Sequence, residues 1–142
     1  MQNFINRNDL MEYYKLLGFG ERTGFTLPGE ASGKIDFRYA IENINAGFGQ
    51  GITTTPIQHV QALTAIANDG IMLQPYIVEK VVDPNTDEIV LQGGRNEIRE
   101  VASKATVDTI KELMYKVVHD PAPATGRAYM IEGYDIIGKT GT

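Results

Sequence analysis

Between Thr55 and Gly70 the sequence specifies a helix with both ends marked and almost no polar face. Thr55 can cap the first free amides, and Pro56 at the first helical position forfeits no hydrogen bond. From Ile57 to Ala67 apolar residues occur nearly all round, with Val60, Ala62, Leu63, Ala65 and Ile66. A helix of that kind belongs in an interior, which constrains everything packed around it. Asn68-Asp69-Gly70 supplies the stop. With 142 residues, 42% of them hydrophobic, the chain can build a core of one ordinary domain.

The flanking elements follow from spacing. Leu10, Tyr13, Tyr14 and Leu17 share one face of a short helix over Asp9 to Leu17, closed by Gly18. Phe19 to Ile35 carries Gly20, Gly24, Pro28, Gly29 and Gly33, which interrupt both periodicities and predict a loop. A second glycine-rich patch runs from Gly47 to Gly51. Tyr76 to Val82 reads as a strand, Asp83 to Asp87 as a turn, and Ile89-Val90-Leu91 as the returning strand of a hairpin. Ser103 caps an amphipathic helix whose stripe is Val107, Ile110, Leu113, Met114, Val117 and Val118. Asp120-Pro121-Ala122-Pro123 ends it, and Thr125 to Met130 adds one helical turn. Tyr134 to Thr140 reads as a final strand.

Several function classes drop out. The formal charge is -5 and the basic residues form no run, which disfavours nucleic acid as a partner. With no cysteine there is no disulfide, thiolate ligand or cysteine nucleophile, and two histidines alone make no His-rich metal site. No cofactor is called for. No stretch approaches a membrane span, and residues Met1 to Arg7 hold no apolar leader core.

One motif carries chemistry. Gly133 to Thr140 fits the spacing of a phosphate-binding loop, two glycines four residues apart followed by Lys-Thr. Such a loop needs bare backbone between its glycines and a helix after the Lys-Thr. Here the intervening residues are bulky and strand-forming, and Gly141 follows. Lys139-Thr140-Gly141-Thr142 on a strand fits a carboxylate site better. The ammonium supplies charge, the threonine hydroxyls donate, and the glycine lets a substrate lie flush along the backbone. Taken by itself, the string reads first as an exposed strand end with a solvated lysine.

Longer blocks resemble the class B (monofunctional) penicillin-binding proteins. They are Phe19-Gly20 with Thr23 to Glu30, Phe48 to Ile52 with Thr55 to Gln58, Ile66 to Gly70, and Thr125 to Ala128 leading into Gly138 to Thr142. They occur in the family's order over nearly the whole chain. The resemblance implies an α+β chain with part of the serine β-lactamase/transpeptidase-like fold: its helical part plus one strand of the central antiparallel sheet. It implies a D,D-transpeptidase that cross-links peptidoglycan stem peptides through an acyl-serine, is trapped by β-lactams, and is membrane-anchored on the extracytoplasmic face. Residues 1–142 would be the middle-to-C-terminal portion of that domain, truncated at both ends. Lys139 would be the electrostatic residue, Thr140, Gly141 and Thr142 would bind the carboxylate, and the Thr142 amide would form half of an oxyanion hole. Gln50 would be a lesser contact at the cleft, weighed against a turn glutamine bonded to its own loop.

The family's other two motifs, Ser-x-x-Lys and Ser-x-Asn, are absent. Ser32 precedes Gly33-Lys34-Ile35 and Ser103 precedes Lys104-Ala105-Thr106, and there is no third serine. Without nucleophile and base the chain alone is expected to be inert. A strand at Tyr134 to Thr140 without neighbours would be an unpaired edge, inviting self-association. A serine β-lactamase or D,D-carboxypeptidase fragment and a non-catalytic cell-wall-binding module remain open as alternatives. His59 reads as a core or boundary histidine, His119 as a partner of the helix dipole, and Glu12, Glu21 and Glu30 as unpaired carboxylates.

Overall fold

The computed structural model describes residues 6–121 and 124–141. These residues form α1 (Arg7–Leu16), α2 (Ala40–Ala46), α3 (Pro56–Ala67), β1 (Ile71–Leu73), β2 (Lys80–Val82), β3 (Ile89–Gln92), β4 (Glu97–Glu100) and α4 (Lys104–His119), with a 3-10 turn at Arg127–Tyr129. Helices and small antiparallel sheets are thus mixed, in keeping with the α+β expectation.

The ends of α1 show how local chemistry sets the boundaries. The Asn6 side chain accepts from the amides of Asn8 and Asp9 at the start. At the other end Gly18 adopts φ 82°, and the amides of Gly18 and Phe19 return to the carbonyls of Lys15 and Tyr14 at 2.9 and 3.0 Å. That pair of bonds closes the helix on a left-handed glycine. Tyr14 meets Phe19 and Phe37 edge-on at 5.9 and 6.2 Å, and its hydroxyl donates to the Ala46 carbonyl at 2.7 Å. One side chain thereby ties α1 to α2, and its burial pushes the phenol above its ordinary value.

α3 starts and stops where expected but is not covered all round. Thr55 and Gln58 cap each other, and Pro56 is the first helical residue. The buried face carries Gln58, Gln61 and Ala65, whereas Val60 and Leu63 are about half exposed, at 51% and 53%. The reason lies in the Phe19–Ile35 loop, whose carbonyls need donors that a glycine-rich segment cannot supply itself. Gln58 Nε2 donates to the Glu21 and Ser32 carbonyls at 2.6 and 2.7 Å, so the amides turn inward. The apolar side of α3 instead lines a groove of 330 Å³ with Leu17, Phe19, Val107 and Ile110.

Two strand pairs follow. β1 pairs antiparallel with β4, Ile71 opposite Glu100, and seats the fully buried Met72. β2 pairs with β3 across the Asp83–Asp87 turn, Lys80 opposite Gln92. The expected strand at Tyr76 to Val82 is therefore shorter, because only Lys80–Val82 lies in ladder register with β3. α4 is capped by Ser103, whose Oγ accepts from the Thr106 amide, and buries Val107 and Val118. Asp69 holds it to the end of α3 through Lys104 and Lys111 at 3.3 and 3.1 Å.

The expectation of a strand at Tyr134 to Thr140 is corrected. This segment pairs with no strand among the described residues. A strand exists only by virtue of a neighbour's hydrogen bonds, and here the segment packs on α4 instead.

Candidate functional site

The Lys139 segment begins after a turn at Gly133, where φ is 84° and the Tyr134 amide donates to the Ile131 carbonyl at 3.2 Å. It then lies against the C-terminal half of α4 at two points. The Gly138 amide donates to the Met114 carbonyl at 3.2 Å, and the Ile136 carbonyl meets His119 Nε2 at 3.1 Å. Ile137 closes a recess of 330 Å³ with Lys111, Tyr115 and Lys116. Lys139, Thr140 and Gly141 are all exposed, and the Lys139 ammonium donates to the Thr140 carbonyl at 2.6 Å. The residues just before Lys139 are bulky and pack on α4, unlike the bare-backbone loop that a phosphate site needs. Thr142 lies outside the described residues.

The other candidates fall elsewhere. Gln50 is exposed on the loop after α2, where its backbone N–H donates to the Asn45 carbonyl at 2.9 Å. No hydrogen bond among the described residues joins Gln50 to the Lys139 segment. His59 Nε2 bonds Thr54 Oγ1 at 2.9 Å while its ring meets Phe19 edge-on at 5.1 Å, a satisfied boundary histidine. Among the described residues, no three His, Asp or Glu side chains gather where a metal ion could be held.

Neither serine is activated. Ser32 Oγ bonds the neighbouring Gly33 carbonyl at 3.4 Å, and Ser103 Oγ is occupied as a helix cap. Lys104, next to Ser103, is no base: its hydrogen bonds to Asp108 and then Asp69 hold its pKa above the ordinary lysine value. A lysine that accepts a proton near neutrality needs the opposite shift.

Sequence reasoning left Glu30 without a role, and the structure supplies one. Its carboxylate accepts from the Thr23 amide and hydroxyl, both at 2.6 Å, and from the Gly24 amide at 3.0 Å. Burial raises its pKa, but these bonds and the charge of Arg22 outweigh that and leave it below the usual glutamate value. Thr23 and Glu30 stand seven residues apart, too far for a helical or turn rule to connect them, so the pairing left no sign in the sequence. Because the folded value is depressed, this stabilisation is complete above the unfolded glutamate pKa and is lost as pH falls through the folded value. Urea titrations of wild type and Glu30→Gln should therefore differ at pH 7 and converge as pH falls through the folded value. A gap that stays constant with pH would remove the carboxylate from the account.

With this geometry in place, the comparisons with known proteins bear on identity. The profile of the penicillin-binding protein transpeptidase domain matches residues 1–142. The chain belongs to that family. It is 36% identical over 141 residues to stage V sporulation protein D of Bacillus subtilis, covering 97% of this chain and 21% of that protein. It is 30% identical over 137 residues to the probable peptidoglycan D,D-transpeptidase PenA of Neisseria meningitidis, covering 94% of this chain and 21% of that protein. Among solved structures, penicillin-binding protein 3 of Mycobacterium tuberculosis superposes with a TM-score of 0.79 at 28% identity, over 92% of this chain and 30% of that one. The same protein has been crystallised with ampicillin and with aztreonam. The chain thus spans about a fifth of the length of these curated relatives, and its mixed fold is part of the transpeptidase-domain fold.

Proposed function

We propose that residues 1–142 are the middle-to-C-terminal portion of the transpeptidase domain of a longer peptidoglycan D,D-transpeptidase, with Lys139 to Thr142 forming the carboxylate-binding wall of its cleft. The observation that carries this reading is the exposed Lys139-Thr140-Gly141 run in a chain of this family, which follows directly on Ile136 and Gly138, bonded to the His119 side chain and the Met114 carbonyl of α4. Lys139 draws the carboxylate of a stem peptide or β-lactam electrostatically, and the Thr140 and Thr142 hydroxyls donate to it. The Thr142 amide stabilises the oxyanion as a serine from an upstream Ser-x-x-Lys attacks the carbonyl. Gln50 is a secondary contact at the cleft rim.

Three consequences follow from this reading. The chain alone forms no acyl-enzyme, because both of its serines are committed to backbone bonds and lack a base. The complete protein works outside the cytoplasmic membrane, to which it is anchored. No helix among the described residues is long and apolar enough to be that anchor. In isolation, the unpaired segment Tyr134 to Thr140 is open to a complementary strand, so sedimentation of this chain should show self-association; a strictly monomeric species would remove that element.

The test is labelling with a fluorescent penicillin, applied to this chain and to the full-length protein that carries it. Label is expected on the full-length protein only. Lys139→Ala should slow its labelling about tenfold, the worth of one charge-assisted hydrogen bond in a partly solvated cleft. A folded full-length protein that never takes label would overturn the acyl-serine reading.

A further inference from the structure

β1 leads into β2 and β3 into β4, so the two antiparallel pairs make one ribbon, and its ladder is interrupted. One part ends where the Gln74 backbone N–H donates to the Asn96 carbonyl at 2.9 Å, and the other begins where the Gly93 N–H donates to the Glu79 carbonyl at 2.7 Å. Between those bonds no backbone hydrogen bond crosses the ribbon among the described residues. Pro75 to Val78 stand on one side against Gly94 and Arg95 on the other, four residues against two, and Pro75 has no N–H to offer a ladder.

The opening is a cavity of 360 Å³. The Phe19–Ile35 loop lines it with Gly24 and Thr26, and Gln74 Nε2 donates to the Gly24 carbonyl at 2.5 Å while Asn96 Nδ2 donates to Gln74 Oε1 at 2.6 Å. A methyl group at Gly93 would fall 2.9 Å from a carbon of the Tyr76 ring, so that ring lies on bare backbone. The cavity is thus held in shape by its own bonds and contacts.

The groups left over define what fits. Among the described residues Arg95 is the one charged side chain lining the cavity, and its guanidinium is taken up by Glu97 at 2.9 and 3.1 Å and by Asn68 Oδ1 at 3.2 Å. That leaves no free positive charge to draw a phosphate or carboxylate. What remains is neutral and of both kinds. The backbone N–H groups of Gly94 and Arg95 have no acceptor, and Asn96 Oδ1, Gln92 Oε1 and the Tyr76 hydroxyl have no partner among the described residues. A ligand meeting them must donate and accept at close spacing and lay an apolar face on Tyr76, which is 51% exposed. A sugar ring does both: its hydroxyls donate and accept, and its C–H face is apolar. An acetamido group adds one N–H for the amide oxygens and one carbonyl for the backbone donors.

We propose that this cavity is a subsite for an N-acetylated sugar, where the glycan strand that carries the stem peptide rests. The identity of the strand rests on the peptidoglycan reading above; the chemistry of the cavity does not.

The probe is tri-N-acetylchitotriose, a sugar chain without peptide, titrated into the full-length protein and followed by saturation-transfer NMR of the sugar. Wild type should bind it. Tyr76→Ala should weaken binding about three- to tenfold, the worth of an aromatic face beyond the area it buries. Gly94→Phe should abolish binding: Gly94 is not in the left-handed region and a methyl there meets nothing within 4 Å, so a side chain enters without strain and fills the cavity. Both variants should take fluorescent penicillin at the wild-type rate, since neither residue belongs to the acylation machinery. If Gly94→Phe takes no penicillin it has misfolded, and Tyr76→Ala decides. Chitotriose that fails to bind, or binds both labelled variants as it binds wild type, would overturn the proposal, as would a sugar-free stem pentapeptide that binds there in its place. A folded protein that takes chitotriose but no penicillin would keep the sugar subsite and sink the acyl-serine reading. One that takes penicillin but no chitotriose would sink this inference alone.

Discussion

Replacing Gly70 with alanine should cost this chain about 3 kcal/mol or more, the sum of a strained left-handed backbone and an overpacked contact. Gly70 closes α3 by donating to the Ala65 carbonyl at 2.8 Å, and its own carbonyl accepts from the Val101 amide at 2.8 Å. It does both at φ 102°, where a side chain is strained whatever the space available. There is no space either: a methyl group at Gly70 would fall 1.8 Å from the Ala102 carbonyl oxygen. That oxygen belongs to the backbone linking β4 to α4, so it cannot rotate away as a side-chain end could. Two further substitutions separate the two causes. Gly29→Ala shares the positive φ but meets nothing within 4 Å, and should cost about 1 kcal/mol. Gly94→Ala has neither feature and should fall within about 0.5 kcal/mol of wild type. Urea midpoints with unchanged slopes would place all three on one scale. A Gly70→Ala as stable as Gly29→Ala would mean that the β4–α4 junction yields.

What the sequence revealed depended on whether the deciding interaction was local. α3 and α4 were legible because their caps lie in the first turn: Thr55 with Gln58, Ser103 with Thr106. The β2–β3 hairpin was legible because its turn, Asp83 to Asp87, connects neighbours in sequence. α2 was missed. Its seven residues include two asparagines and two isoleucines, weak helix formers, and it rests on Glu42 accepting from the amides of Arg38 and Tyr39. β1 and β4 were missed because they are three and four residues long and pair across some 25 residues of chain, a contact with no periodic trace. The Lys139 motif was legible as chemistry but not as conformation. Residues that favour a strand at Tyr134 to Thr140 cannot make one without a ladder partner, and α4 takes the segment instead. The grip of His119 on Ile136 was equally out of reach, since 17 residues separate them.

The loop that carries the Thr23–Glu30 block depends most on Gln58, and here even a substitution that preserves volume should be strongly destabilising. Gln58 is fully buried, and its amide serves three backbone groups: the carbonyls of Glu21 and Ser32 and the amide of Thr55, the last at 3.0 Å. Gln58→Met fills nearly the same space and serves none of them. Each buried polar group left unpaired costs about 1–3 kcal/mol, so a loss of about 3 kcal/mol or more is expected from the methionine variant. Gln58→Ala adds a cavity, and its increment over methionine, about 2–5 kcal/mol at a fully buried site, measures the part of the role that is volume. Gln58→Glu gives the sign of the effect. A carboxylate can still accept from Thr55 but faces two carbonyl oxygens with no hydrogen to offer them, so burial and repulsion raise its folded pKa above the unfolded one. Whatever stability that variant has is therefore present at low pH, where the protonated acid can donate to one carbonyl, and is lost as pH rises through the folded value. Wild type, with Glu30 depressed, moves the opposite way. A Gln58→Met variant that unfolds at the wild-type urea concentration would mean that water replaces the amide. The loop would then be held chiefly by Glu30 on Thr23 and Gly24 and by the Gln74 amide on the Gly24 carbonyl.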